Sequence, residues 1–443
     1  MLGNAAAKTS PKVSTLAATA IVVSDMIGVG VFTSLGFQVT DIQSGFALLL
    51  LWFIGGVVAL CGAFCYAELA TMFPRSSGEY SFLTRLYGPA VGFMAGWLSA
   101  TVGFAAPVAL AAMAFGQYAK AALPGAPPLV LGLAVIWAVT VVHLRGTRHS
   151  SVFQIGFTLL KLALILAFIA AGFARGGDQP IHFTLVGFDA GQIFGASFAV
   201  SLVFVMYAYT GWNAATYIVG EIDDPKRSLP RALLFGTSVV VVLYVALNAV
   251  FFYTTPIGEL AGQIDVALIA GRHVFGEEGG RLVGALICAG LIPTISAMMW
   301  IGPRVTVAMG EDLPLLRPFA HRSHRGVPIP ALLLQGGVAT LLLLTQSFEA
   351  VLEFIQFSLT LCSFLAVLGL IKLRITQPDL PRPCRAWGYP VTPMIFLSVT
   401  LLMMAHVVVV RPFQSLAGCG LMLAGLLVYA AATAWARRKE TLG

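Results

Sequence analysis

Two charged side chains stand inside long apolar stretches of this 443-residue sequence, Asp25 within 13–40 and Lys161 within 149–174. Within lipid an ionisable group costs ~2.5–3.5 kcal/mol or more, so it faces a cavity or a partner. A group held in that way can bind an opposite charge or carry a proton. Covalent catalysis would need more: paired carboxylates, a Ser–His pairing or a His–metal grouping inside the apolar stretches, and none occurs. His143, His149, His182, His273, His321, His324 and His406 have no ligand spacing. Cys61 and Cys65 form a C-x-x-x-C in an apolar run and read as small packed thiols, and the remaining cysteines add no metal pattern. The residues indicate no metal, no cofactor and no enzyme.

Those two stretches belong to a pattern that fills the chain. Hydrophobic residues make up 58% of it and charged residues 10%, where a soluble domain carries about 25% charge. So much apolar surface at this length requires lipid as its solvent. Ten stretches hold no Asp, Glu, Lys or Arg: 42–67, 86–119, 121–144, 190–220, 232–258, 282–303, 326–348, 354–371, 386–410 and 412–436. A spanning helix needs ~20 apolar residues, which most of these exceed and 354–371 approaches. With 13–40 and 149–174 they predict twelve spans, an even number that places both termini on one side. If that side is cytoplasmic, twenty Lys and Arg fall in inner segments and five in outer ones, a strong positive-inside bias. The bias accounts for the formal charge of +7 without a nucleic-acid partner. The first apolar run is too long for a signal peptide and reads as a retained first helix. One unit is visible, with no soluble domain or low-complexity linker, and a short surface helix is expected in the external segment near Pro256–Gly280.

Two of the spans carry breakers in matching places. Span 1 reads IVVSDMIGVGVFTSLGF, with Gly28 and Gly30 near its middle, and span 6 reads SLVFVMYAYTGWNAATYIVGE, with Thr210 and Gly211 there. Glycine weakens a helix interior by ~1 kcal/mol against alanine. An unwound segment survives at membrane depth only when it lines a cavity or is buried in protein. Close helix packing is the plainer use of such residues. The two sites lie five spans apart, which is what an inverted five-helix repeat predicts for a transporter's substrate site.

Four segments then point to a family. They are M-I-G-V-G-V-F (Met26 to Phe32); Y-A-E-L-A-T-M-F-P-R-S-S-G-E-Y (Tyr66 to Tyr80) with Y-G-P-A-V-G-F-M-A-G-W (Tyr87 to Trp97); Y-A-Y-T-G-W-N-A-A-T-Y-I-V-G-E-I-D-D-P-K-R-S-L-P-R-A (Tyr207 to Ala232); and R-P-C-R-A-W-G-Y-P (Arg382 to Pro390). In this order, over nearly the whole chain, they resemble the amino acid–polyamine–organocation superfamily. The resemblance implies an all-α membrane protein with the leucine-transporter-like fold. Twelve transmembrane helices would form two inverted five-helix repeats, about 13–175 and 190–375, followed by two further helices at about 386–437. It implies a permease of the cell (inner) membrane with cytoplasmic termini, carrying amino acids by alternating access. Proton symport and exchange both stay open, as do polyamine or cationic amine substrates, a transporter-like sensor, and the oligomeric state.

In such proteins the substrate carboxylate rests on backbone N–H groups of the unwound span 1, and the ammonium meets carbonyls freed in spans 1 and 6. The polarity of half-helix ends agrees. For this chain the resemblance implies Val29, Gly30 and Val31 as the cradle, with Gly28 giving the turn. It implies carbonyls near Ile27 and Tyr207 as amine acceptors, with Ala208 and Gly211 completing the set. Val29 departs from the small Ser or Ala of many relatives, narrowing the cradle and removing a hydroxyl. Tyr207 falls at the family's aromatic gate; a packing tyrosine is the plainer reading.

Lys161 matches a lysine of many sodium-independent relatives, whose ammonium stands where sodium-driven relatives hold a cation between spans 1 and 8. The implied neighbours are carbonyls near Val23 and Ser24 and the hydroxyl of Ser296; a structural tether is the alternative role. Asp25 stands where relatives usually carry an uncharged residue, and three readings compete: counter-ion for a cationic substrate, proton carrier, or ion-pair partner of Lys161. Glu68, ending span 2, is expected to be a gate or loop anchor, and Glu221 to be mostly solvated beside Asp223, Asp224, Lys226 and Arg227. A channel would need a continuous polar pore, and the spans are nearly bare of polar rows.

Overall fold

Long continuous runs of Leu, Ile, Val, Ala and Phe without interrupting charge satisfy their backbone in lipid as helices, since barrel strands would be about ten residues long and alternate apolar with polar. The computed structural model is built accordingly. It describes residues 13–120, 123, 125–145, 150–177, 191–193, 195–410 and 412–442. The basic residues Lys8, Lys12, Arg148 and Arg411, with His149 and His182, lie outside the described residues. Among the described residues β-structure is confined to a single bridge between Val13 and Ile222.

The chain opens with α1 (Thr15–Met26), α2 (Gly30–Gln38), α3 (Gly45–Met72) and α4 (Glu79–Tyr87). Next come α5 (Pro89–Leu98), a π-helical stretch (Ser99–Gly103), α6 (Ala105–Ala119), α7 (Pro128–Leu144) and α8 (Ser150–Arg175). The second half holds α9 (Ala196–Ala208), a 3₁₀ stretch (Ala214–Glu221), α10 (Pro225–Thr254), α11 (Ile257–Leu260) and α12 (Val266–Asp312). It ends with α13 (Ile329–Leu344), α14 (Phe348–Thr376), α15 (Val391–Val410) and α16 (Pro412–Leu442). Side-chain oxygens of Ser14 and Ser44 cap α1 and α3, accepting from Ala17 N and Ala47 N at 3.2 and 3.0 Å. Proline starts α5, α7 and α10, where its missing N–H is no loss.

Nine helical segments among the described residues are long and apolar enough to cross a membrane, each lying on a stretch expected to span. The remaining three stretches hold shorter apolar helices. α7 and α13 have 17 and 16 residues, a rise of about 24–26 Å against a hydrocarbon core of about 30 Å. α9 has 13 residues and stops at a break.

Two connections are more ordered than the sequence indicated. The segment before span 3 forms α4, and α12 reaches back to Val266. A bend at Gly276, with φ 77°, separates 266–275 from the membrane helix that follows. With α11, that piece fills the external segment where one surface helix was expected. The link between the two sits tightly on α2: Gly262 N donates to Gly36 O at 2.8 Å, and a side chain on Gly36 would start 2.0 Å from Gln263 O. Glu68, fully buried, is the expected loop anchor. It meets Arg374, comes within 3.2 Å of Arg382 and accepts from Ala386 N at 2.7 Å, tying α3 to α14 and the segment before α15. In the interior α10 lies along both α1 and α3, and α6 lies along α12.

Candidate functional site

The first helix breaks where its glycines cluster. α1 ends as Ile27 N reaches Val23 O at 2.9 Å and Gly28 N closes a tight turn on Met26 O at 2.7 Å. α2 then begins at Gly30 with Val29 as its cap residue, and no side chain caps it. The N–H groups of Val29, Gly30 and Val31 therefore head a half-helix with no preceding turn to accept from them. The second break runs over Tyr209–Asn213, between α9 and the 3₁₀ stretch. Its pivot is Gly211, with φ 99°.

The two breaks touch. A Cβ on Gly30 would lie 2.5 Å from Ala208 Cα, and one on Gly211 would lie 2.8 Å from Asp25 C, Asp25 Oδ2 and Met26 N. Glycine is thus required at 30 and 211. Gly28 carries the turn as expected, but a Cβ there would meet only Thr294 Cγ2 at an ordinary 3.4 Å. The hydroxyl of Tyr244, on α10, spans both breaks, donating to Met26 O at 2.5 Å and lying 3.2 Å from Ala208 O.

Lys161, 4% exposed, reaches into the first break from α8. Its Nζ donates to Ile27 O at 2.6 Å and to Thr294 Oγ1 at 2.7 Å, and Thr294 Oγ1 lies 3.2 Å from Ile27 O. This corrects the expected neighbours. Val23 and Ser24 do not hold the ammonium, and Ser296 Oγ pairs instead with His143 Nε2 at 3.0 Å. The reason is helical phase: two residues apart on α12 means about 200° of rotation, so Thr294 and Ser296 cannot face span 1 together.

Asp25, 6% exposed, points the other way, toward Gly211. Among the described residues its Oδ1 has no hydrogen-bond partner. The direct ion pair with Lys161 is not formed: the ammonium turns to Ile27 and Thr294, and the two charges act on each other through space only.

Two small cavities meet at Asp25. One, of about 10 Å³, is lined by Asp25, Gly28, Val29, Gly30, Tyr207 and Ala208, among others. That is room for about one water molecule, so the cradle is closed. Ile27 and Val31 do not line it. Its neighbour, about 70 Å³, shares Asp25, Pro107, Thr210 and Met298, takes in Gly211, and extends to Glu79, Tyr217 and Ser363. Tyr207, 4% exposed, stands in the last turn of α9 over the smaller cavity. A third cavity, about 360 Å³, lies at the basic end among Arg75, His143, Glu221, Trp300 and Arg304. There Glu221 is not mostly solvated: its carboxylate accepts from Arg304 Nε and Nη2 at 2.7 and 3.1 Å. Arg75 and Tyr80 close a second clasp on Asp312.

Several of these residues gave no sign in the sequence. Glu79, 2% exposed, accepts from Tyr66 OH at 2.5 Å and Ser363 Oγ at 2.7 Å. It belongs to the P-R-S-S-G-E-Y segment, so its motif was visible and its burial was not. Thr294 and Tyr244 had no signal beyond being polar in apolar runs.

Among the described residues, apolar helices long enough to cross a membrane, with two helices broken beside a buried lysine and a buried aspartate, mark a polytopic membrane protein. Comparison with known proteins then makes the assignment particular. The amino acid permease family profile matches residues 13–431, and the chain belongs to that family, within the amino acid–polyamine–organocation superfamily. It is accordingly a permease and not an enzyme. The b(0,+)-type amino acid transporter 1 of Mus musculus is 28% identical over 94% of this chain and 87% of its own length. The cystine/glutamate transporter of Homo sapiens is 26% identical over 96% of this chain and 86% of its own. The Asc-type amino acid transporter 1 of Mus musculus is 25% identical over 96% and 81%.

Proposed function

We propose that this permease is a sodium-independent secondary transporter of amino acids, working by alternating access and coupled to protons or to exchange of substrates. The observation that carries the reading is the Lys161 ammonium on Ile27 O and Thr294 Oγ1 at the break of the first helix. A fixed cation there takes the carbonyl and hydroxyl oxygens a sodium ion would need. All three relatives named above are amino acid transporters by name, which supports that substrate class.

In this reading twelve helices cross the cell (inner) membrane with both termini cytoplasmic. Residues 13–175 and 190–375 are the inverted repeats, and 386–437 adds two helices outside them. The substrate carboxylate sits on Val29, Gly30 and Val31, the rest of the molecule lies among Asp25, Gly28, Ala208 and Gly211, and Tyr207 is the lid. Shorter helices such as α7 and α13 still cross where the bilayer thins around them, at a modest cost. The outer side is closed by the segment packed on Gly36, and the 360 Å³ cavity lined by the Glu221–Arg304 pair is the inward exit.

A second reading, transport of a polyamine or cationic amine, is favoured by one feature: Asp25 and Glu79 both line the 70 Å³ cavity, and among the described residues no cationic side chain does. A transporter-like sensor is the third. Purified protein in proteoliposomes, offered radiolabelled alanine, leucine, glutamate, lysine and putrescine, separates them. Saturable uptake of an amino acid supports the first reading, uptake of putrescine alone the second, and binding without uptake the sensor.

A further inference from the structure

Three of the peptide carbonyls at the two breaks, those of Met26, Ile27 and Tyr207, are already engaged. A carbonyl oxygen has two lone pairs. Ile27 O accepts from Lys161 Nζ at 2.6 Å and has Thr294 Oγ1 at 3.2 Å. Tyr207 O takes the N–H and the hydroxyl of Thr210, at 2.9 and 2.6 Å. Met26 O takes Gly28 N at 2.7 Å and Tyr244 OH at 2.5 Å, and the same hydroxyl lies 3.2 Å from Ala208 O. An incoming ammonium would have to displace a protein donor to use Ile27, Tyr207 or Met26. Glu79 Oε1, across the larger cavity, likewise has two hydroxyl donors.

The buried carboxylate acceptor at the breaks without a donor is Asp25 Oδ1. It is buried, has no hydrogen-bond partner among the described residues, and belongs to a side chain that lines both cavities. A carboxylate held out of water without a hydrogen-bonded cation is costly, and an arriving ammonium offsets that cost. Val29 and Gly30, at the head of α2, line the smaller cavity with it, so the start of a half-helix and an anionic acceptor face one space.

We propose that Asp25, through its side-chain carboxylate rather than through peptide carbonyls, is the acceptor of the substrate's α-ammonium in this chain. The inference rests on the amino acid transport reading above. It assigns Asp25 to recognition of every α-amino acid the protein carries, neutral ones included. It also makes substrate entry the event that neutralises a buried charge, so a ligand lacking the α-amine leaves that charge stranded.

The test pairs each amino acid with the same molecule lacking its α-amine: alanine with propionate, leucine with isocaproate, glutamate with glutarate. Affinities of the purified full chain are measured by titration for the unaltered protein and for Asp25→Asn. Losing one partner of a buried charge pair costs roughly 30-fold or more in affinity. The unaltered protein should prefer the amino acid by at least that factor, and Asp25→Asn should bring the two ligands within about threefold of each other. A preference of the same size in both proteins overturns the inference and leaves the transport reading standing. So does a ratio near one in the unaltered protein, which needs no variant. Asp25→Ser replaces Asp25→Asn should the latter not fold. Binding of none of the amino acids by the unaltered protein overturns the transport reading, and this inference with it.

Discussion

Replacing Lys161 by methionine, which keeps the length and loses the charge, probes what the ammonium does at the break. Two hydrogen bonds vanish, at 2.6 Å to Ile27 O and 2.7 Å to Thr294 Oγ1. Bonds from a charged donor contribute about 1.5–3 kcal/mol each, or ~3–6 kcal/mol together. Two effects offset part of this. Methionine has no charge to desolvate, and Ile27 O keeps Thr294 Oγ1 at 3.2 Å, so it is not orphaned. One effect adds to it, since Asp25 loses its compensating cation. The net loss should be about 2–4 kcal/mol. Thermal midpoints move about 2–4 °C per kcal/mol for domains of 150–250 residues, and about half that for a chain of this size, so roughly 2–8 °C is expected. Because no direct ion pair forms, Asp25→Asn and Lys161→Met should couple by only about 1–2 kcal/mol, below the 3–5 kcal/mol of a broken buried pair. Melting curves of the four proteins in one detergent give both numbers. An unchanged or higher midpoint for Lys161→Met would refute the tether, and coupling of 3–5 kcal/mol would restore the pair.

Tyr207→Phe should keep uptake and Tyr207→Ala should lose most of it with the protein still folded, because a ring covering ~150–250 Å² is what a lid requires; equal damage would point to the hydroxyl instead. Gly211→Ala forces a side chain onto the Asp25 and Met26 backbone at a φ of 99°, and a loss of about 3 kcal/mol or more should show as failure to accumulate in the membrane. Glu68→Gln leaves Arg374 and Arg382 without their anion and should lower stability by ~3–5 kcal/mol; a melting curve within error of the unaltered protein contradicts that anchor.

How much of this was legible in sequence depends on the distance over which each signal acts. Solvent class and element type are local sums, so the apolar runs and the breaks near Gly28–Gly30 and Thr210–Gly211 could be read directly. Which face of a helix meets which neighbour could not. α12 is apolar nearly all round its middle, and nothing in T-I-S-A-M-M sets the phase that brings Thr294, not Ser296, to Lys161. Glu221 looked solvated because its local neighbours are charged; its partner, Arg304, is 83 residues away. Glu79 lay in a recognised motif, yet its burial depends on Tyr66 and Ser363 arriving from other helices. Asp25 and Lys161 were rightly singled out as buried charges, and the pairing between them was lost to better hydrogen-bond geometry elsewhere.

In the proposed function the Lys161 ammonium does permanently, at the break of the first helix, what a bound sodium ion would otherwise do. Its most direct test is amino acid uptake or exchange by the unaltered protein in proteoliposomes, with sodium replaced by choline on both sides. Saturable transport at the same rate in both salts is expected. Transport that appears only with sodium would contradict it.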